Sequence, residues 1–114
     1  MTDKIIKCLA HNGKIAITVA STTKLVEEAR ILHDFSPVVT AAFGRLLTIA
    51  SIMGNEMKNE KDKLTIQLKG NGPIGTMLVT ANNVPKVKGY VNNPYVDIPL
   101  NEDGKLDVGT AVRT

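Results

Sequence analysis

The side chains that could carry chemistry are few and far apart. The chain has one cysteine, Cys8, and two histidines, His11 and His33. A lone cysteine cannot close an intramolecular disulfide, and neither histidine lies near a cysteine or in a Glu-x-x-His spacing, so no metal site is predicted. We interpret Cys8 as a small strand hydrophobe, His11 as a solvated turn residue and His33 as a helix end favoured by the helix dipole.

Two further patterns could be mistaken for functional sites. The glycines of Gly70-x-Gly72 lead into a predicted strand and lack the Lys-Ser/Thr of a phosphate loop, so we assign them to a turn. The carboxylates near predicted turns form no pair with acid and base roles: Asp62, Asp97 and Asp103. The sequence therefore predicts no enzyme and no cofactor in this chain. A small enzyme that uses Cys8 or an Asp remains an alternative.

Composition predicts one domain with an aliphatic core. The chain has 114 residues, of which 43% are hydrophobic and only 4% aromatic. The net charge of +3 favours solubility. Basic residues are scattered, and the nearest approach to a patch is Lys58, Lys61 and Lys63. Nucleic-acid binding is therefore not expected, although a small basic RNA-binding or ribosome-associated module stays an alternative.

The chain is predicted to work in the cytoplasm and away from membranes. One cysteine fits a reducing compartment, and the first seven residues do not form a signal peptide. The longest apolar stretch, 38–53, is broken by polar residues and is predicted to be too short and too polar to span a bilayer.

Alternation of apolar and polar residues predicts the strands. Residues 63–69 alternate strictly, Gly70-Asn71-Gly72-Pro73 follows as a turn, and 74–81 and 86–91 continue the pattern. A fourth run, 95–100, contains Pro99 and is predicted as an edge strand of an antiparallel meander. Near the N-terminus, Asn12-Gly13 between 4–10 and 14–20 predicts a hairpin with one buried face, carrying Ile15, Ile17 and Val19.

Two helices are predicted between the hairpin and the meander. The first, near 23–34, places Leu25, Ala29 and Leu32 on one side and pairs Glu27 with Arg30. The second, near 37–58, starts at the cap Ser36-Pro37 and is apolar nearly all round, which predicts burial. Its small residues would admit another backbone: Ala41, Gly44 and Gly54. The predicted class is α+β, an antiparallel sheet of hairpin plus meander packed with these helices.

Three stretches of this sequence resemble the Hsp33 family, the redox-regulated bacterial chaperones. They are 62–73, which reads Asp-Lys-Leu-Thr-Ile-Gln-Leu-Lys-Gly-Asn-Gly-Pro, then Lys88-Gly89-Tyr90-Val91, and 104–109. The resemblance implies that 1–114 is the N-terminal part of a substrate-binding domain. It also implies that the family's C-terminal redox switch, where four cysteines bind zinc, lies outside this chain. Cys8 matches none of those cysteines.

The resemblance implies an ATP-independent holdase that binds unfolding proteins and prevents their aggregation. Unfolded clients, and a second copy of the chain in a homodimer, are the partners expected. Without the zinc module, binding is expected to need no redox trigger. The candidate client-binding surface comprises apolar residues of the meander: Leu64, Ile66, Leu68, Met77 and Val79.

Overall fold

The computed structural model describes residues 3–83 and 87–113. Along the chain lie β1 (Lys4–Ala10), β2 (Ile15–Ser21), α1 (Thr23–His33), α2 (Pro37–Asn55), β3 (Leu64–Lys69), β4 (Thr76–Ala81), β5 (Val87–Val91) and α3 (Val108–Val112). Strands β1 and β2 form an antiparallel hairpin, and β3, β4 and β5 form a separate antiparallel sheet in that order. The predicted α+β class is confirmed. Lys86, the predicted start of the last of these strands, lies outside the described residues.

The core forms where α2 packs on one face of the three-stranded sheet. Strand β4 alternates between buried and half-buried residues, as period two requires of a sheet covered on one side. Phe43 of α2 packs edge-to-face against Phe35, with ring centroids 5.2 Å apart. The buried hydrophobic residues are Phe35, Val38, Val39, Ala42, Phe43, Leu46, Leu47, Ala50, Ile74, Met77, Val79, Ala81, Val91, Val96 and Ala111.

Helix α2 is the central element, and it is half buried. Its 19 residues are long and apolar enough to cross a membrane by length and composition alone, so the prediction that this stretch is too short and too polar is wrong. Half of it is nevertheless buried inside the protein. The prediction that small residues admit another backbone is confirmed at Gly54, which faces the backbone of Asn82, but is wrong at Gly44, which faces the side chain of Val26.

The helix ends differ in detail from the sequence predictions. Ser36 occupies the N-cap position of α2, but its hydroxyl donates to the Val96 carbonyl at 2.6 Å rather than capping the helix. The helix ends at Asn55, not near residue 58, because the next amides bond carbonyls three residues back or closer. The side-chain amide nitrogen of Asn83, Nδ2, donates to the Met57 carbonyl at 2.9 Å. A side chain therefore satisfies one backbone carbonyl just beyond the C-terminus of α2.

Helix α1 packs only along its first two turns. Leu25, Val26 and Ala29 are partly buried against the core, whereas Leu32 is exposed. The prediction that Leu32 belongs to the packed side is therefore wrong, since no described residue covers it. The predicted surface pair is confirmed: Arg30 Nε donates to Glu27 at 2.8 Å, and this hydrogen bond lowers the pKa of the Glu27 carboxyl.

Asp3 caps α1 from outside the helix. Its carboxylate accepts from the backbone amides of Lys24 at 3.1 Å and Leu25 at 2.8 Å, while the N-cap residue Thr22 makes no side-chain cap bond. A carboxylate at a helix N-terminus satisfies free amides and complements the dipole. Asp3 thereby ties the base of the hairpin to the body of the protein.

Replacing Asp3 with alanine should lower the free energy of unfolding by about 1 kcal/mol, because two helix amides lose their acceptor. Urea unfolding of the 114-residue chain measures the change. Asp3→Asn is the matched control, since its amide oxygen can still accept, and it should retain most of the stability. Equal stability of the alanine variant and the parent would contradict the capping role.

The predicted fourth strand, 95–100, is wrong. This segment follows β5 but forms no ladder with it. Its backbone partners lie at the start of α2, where Ser36 N donates to the Pro94 carbonyl and Ser36 Oγ to the Val96 carbonyl. These two hydrogen bonds hold the segment against the start of α2 and not beside β5. Val96 is buried in the core.

The glycines of Gly70-x-Gly72 serve packing and not positive-φ turn geometry. The described glycines with positive φ are Gly13, Gly75 and Gly104. Instead, α3 lies against this segment, and Gly72 N and Ile74 N donate to the carbonyls of Val112 and Ala111. The short helix was not predicted, although Asp107 caps it through Thr110, a pattern that sequence could have indicated.

Candidate functional site

The hairpin presents a continuous aliphatic face. Its register places Ile6 opposite Val19, Cys8 opposite Ile17 and Ala10 opposite Ile15. Directly opposed residues of an antiparallel ribbon project to the same side, and alternate residues of one strand share that side. We call these six residues the hairpin face: Ile6, Cys8, Ala10, Ile15, Ile17 and Val19. None of them is charged.

The hairpin face is open to solvent. Ile6 is 59% exposed and Val19 60% exposed, and Cys8, Ile15 and Ile17 are also exposed. The prediction of one buried face is therefore wrong among the residues that the structure describes. The apolar alternation exists, but no described element packs over it. Contiguous exposed apolar surface of this kind commonly marks a site that contacts another chain.

A loop with left-handed backbone joins the two strands of the hairpin. His11, Asn12 and Gly13 all have positive φ, and Lys14 N donates to the His11 carbonyl at 3.1 Å. Asn and Gly adopt this conformation more readily than other residues, which explains why the Asn12-Gly13 signal predicted the hairpin correctly. The loop has four residues instead of the predicted three, because β2 begins at Ile15 and not at Lys14.

The five residues predicted as a client surface all point toward the core. They pair across β3 and β4 as Leu64 with Ala81, Ile66 with Val79, and Leu68 with Met77. Met77 and Val79 are buried, and Leu64, Ile66 and Leu68 are half-buried. The sheet thus brings Leu64, Ile66, Leu68, Met77 and Val79 onto one face, and that face covers α2. Contact between these side chains and clients remains a prediction.

The thiol and the imidazoles lie in separate parts of the chain. Cys8 is exposed on β1, opposite Ile17 and between Ile6 and Ala10 on the hairpin face. His33 ends α1 and stacks on Phe35 with centroids 5.2 Å apart. The described residues contain no group of three or more His, Cys, Asp or Glu side chains able to hold a metal ion. The neighbours of Cys8 along the hairpin face are aliphatic, so none of them can act as its base.

A cleft of about 500 Å³ opens between the hairpin base, the start of α1 and the end of α2. Its polar lining includes Asp3, Lys24, Glu28, Asn55 and Asn83. The Asp3 carboxylate is already engaged as the cap of α1. Asn83 Oδ1 is buried without a hydrogen-bond partner while its amide group bonds Met57. The hydrogen bonds of the described lining residues include no nucleophile–base pair, so the cleft gives the enzyme alternative no support.

Sequence comparison places the chain beside a group of bacterial proteins. A family model described as Hsp33 protein matches residues 3–114. The chain is 46% identical over 114 residues to a 33 kDa chaperonin of Clostridium beijerinckii and 49% identical over 114 residues to one of Clostridioides difficile. Both alignments cover 100% of this chain but only 39% of the relative. The chain thus spans about two fifths of the length of these relatives.

The fold is similar to that of a solved structure with a related name. The crystal structure of a 33 kDa chaperonin, a heat shock protein 33 homolog, from Thermotoga maritima matches with a TM-score of 0.87 and 35% sequence identity. The match covers 95% of this chain and 37% of that one. The arrangement of hairpin, helices and sheet is therefore shared.

Proposed function

This chain belongs to the Hsp33 family, and on that premise we propose that it acts as an ATP-independent holdase. In this proposal it binds unfolding proteins through exposed apolar surface and keeps them from aggregating. The chaperonin names of the relatives support a chaperone role. We further propose that 1–114 is the N-terminal part of a substrate-binding domain, which fits the 39% of each relative that it covers.

The observation that carries the proposal is the open hairpin face. A folded domain normally covers a continuous strip of Ile and Val side chains, since each buried one contributes roughly 1.5–3 kcal/mol. Here Ile6, Ile15, Ile17 and Val19 remain exposed on one side of the ribbon. Unfolded polypeptides expose the same kind of side chain, so contact with a client removes apolar area on both partners from water.

The predicted surface on the sheet has a different place in this proposal. Leu64, Ile66, Leu68, Met77 and Val79 can meet a client only if the sheet separates from α2, because they line the core of the described fold. We therefore assign first contact to the hairpin face and any contribution of these five residues to a more open state. Faster hydrogen exchange of the β4 amides with client present would support that second step.

Redox control is proposed only for the longer family proteins. The residues described here do not fit a zinc site, so no step of this proposal passes through zinc. Binding by the 114-residue chain should be the same in dithiothreitol and in hydrogen peroxide, once Cys8→Ser removes the one thiol. The bacterial relatives and the single cysteine support a cytoplasmic location.

Light scattering of a heat-unfolded enzyme tests the proposal. The parent chain should suppress aggregation at near-stoichiometric ratio without a nucleotide. The paired variant Ile6→Ser with Val19→Ser removes two opposed side chains from the hairpin face. It should raise the concentration needed for half suppression by about tenfold, which corresponds to about 1.4 kcal/mol of lost apolar contact.

The matched control changes exposed apolar residues elsewhere. Ile31→Gln with Leu32→Gln removes two exposed side chains of α1 and should leave suppression near the parent value. A parent chain that is monomeric, binds no apolar dye and leaves aggregation unchanged would contradict the holdase proposal. If the chain instead forms a homodimer that the Ile6/Val19 variant dissociates, a second copy and not a client occupies the hairpin face.

A further inference from the structure

The outer face of the three-stranded sheet gathers residues that are far apart in the sequence. One row across the strands contains Thr65, Thr80 and Lys88, the next contains Gln67, Leu78 and Tyr90, and the third contains Lys69 and Thr76. All eight are exposed or half-buried, since α2 covers only the other side of the sheet. We call these eight residues the outer sheet face.

The outer sheet face is basic and contains no carboxylate. Its charged members, Lys69 and Lys88, lie on opposite edge strands and at opposite ends. From ordinary strand spacing and rise, their Cα atoms are about 16 Å apart along the diagonal. Lys63 continues the same alternation just before β3. Neither Lys69 nor Lys88 has an ion-pair partner among the described residues, so both ammonium groups are available to an anionic ligand.

An exposed aromatic ring stands between the two lysine rows. Tyr90 is 56% exposed, and its hydroxyl bonds Asn92 at 3.3 Å, which leaves the ring available. Beyond the β5 edge, Tyr90 and Tyr95 line one shallow cleft. These are the only two tyrosines of a chain that is 4% aromatic. Their gathering at one edge of a basic sheet is not required by the core.

We propose that the outer sheet face binds single-stranded nucleic acid. Lys69 and Lys88 contact phosphates, a base stacks on Tyr90, and the hydroxyls and amide of Thr65, Thr80 and Gln67 line the path between them. A positive groove combined with aromatic stacking is the usual means of binding single strands without sequence preference. This activity lies beyond the holdase role and uses neither the hairpin face nor the inner side of the sheet.

The partner follows from charge complementarity on this face. The lysines are scattered along the sequence and form no basic patch there. The strand register nevertheless places Lys69 and Lys88 on one surface that carries no carboxylate. An acidic polypeptide would also be attracted to the lysines, but one without aromatic residues, such as polyglutamate, offers no flat ring to stack on Tyr90. Dependence of binding on the aromatic ring therefore separates the two partners.

Fluorescence anisotropy with labelled 12-residue oligo(U) and oligo(dT) tests the proposal. Both should bind at low salt, with affinity falling as salt rises because phosphate contacts release counterions. Tyr90→Ala should weaken binding about tenfold, whereas Tyr90→Phe keeps the ring and should bind like the parent. Lys88→Gln should weaken binding and reduce the salt slope by about 0.7, the loss of one phosphate contact.

Two controls make the result decisive. Lys14→Gln removes a lysine from the hairpin loop and should leave both affinity and salt slope unchanged. Circular dichroism checks that every variant keeps the fold. Absence of binding by the parent at low salt overturns the proposal. So does an unchanged affinity of Tyr90→Ala, particularly if polyglutamate binds the parent equally well, because the face would then be a nonspecific anion patch.

Discussion

Replacing Gly89 with alanine should destabilise the fold by about 3 kcal/mol, at the upper end of what overpacking costs. An ideal Cβ at this position would lie 2.1 Å from Phe43 Cζ, far inside van der Waals contact. The ring cannot simply turn away, since Phe43 is buried and packs edge-to-face on Phe35. The absence of a side chain at Gly89 therefore makes the space in which the Phe43 ring of α2 packs against β5.

A double-mutant cycle separates this clash from any other effect of alanine. Phe43→Leu alone should destabilise through the cavity that it leaves, but it frees the space that a Cβ at Gly89 needs. The double variant should then be more stable than the two single changes predict by addition. Urea unfolding measures all four proteins. Additive losses, or a Gly89→Ala variant as stable as the parent, would show that the ring gives way without cost.

Period-two alternation predicted which side of each strand is apolar, and this succeeded for β3 and β4. It succeeded because Leu64, Ile66 and Leu68 alternate strictly and the partner strand carries Met77 and Val79 at matching positions. The same rule also identified Ile15, Ile17 and Val19 as one side of the hairpin. Alternation cannot show whether another element covers the apolar side of the hairpin. Among the described residues, no element does.

The predicted client surface and the hairpin face illustrate the same limit. Leu64, Ile66, Leu68, Met77 and Val79 and the hairpin face look alike as sequence, because both are aliphatic residues at alternate positions. Only packing distinguishes them: α2 covers the first set and leaves the second open. Burial depends on contacts between separate elements such as α2 and the sheet, and local patterns do not record those contacts.

The outer sheet face shows how register creates surface properties. Lys69 and Lys88 are nineteen positions apart in the sequence, and neither has a basic neighbour beside it except Lys86 near Lys88. Pairing of β4 with both β3 and β5 places them on one surface. Patches of this kind can be predicted once strand register is known, but not from the linear spacing of charges.

Gly72→Ala should destabilise the docking of α3 by about 3 kcal/mol, a loss as large as that expected for Gly89→Ala. A Cβ on Gly72 would lie 2.4 Å from the Ala111 carbonyl oxygen and 2.8 Å from that of Thr110. These atoms are backbone, so the clash cannot be relieved by a rotamer change. The φ angle of Gly72 is not positive, so alanine is excluded by contact and not by conformation.

Displacement of α3 breaks identifiable bonds. Gly72 N donates to the Val112 carbonyl at 3.0 Å and Ile74 N to the Ala111 carbonyl at 3.1 Å, each worth about 1 kcal/mol, and Ala111 loses its complete burial. Amide hydrogen exchange should therefore show loss of protection at Ile74, with protection at Val79 in the centre of β4 largely kept.

Gly109→Ala is the matched control within α3 itself. Its Cβ meets nothing within 4 Å, and alanine favours helix over glycine by about 1 kcal/mol, so this variant should be neutral or stabilising. If Ile74 stays protected in Gly72→Ala, the close contact between the backbone of α3 and Gly72 does not hold α3 in place.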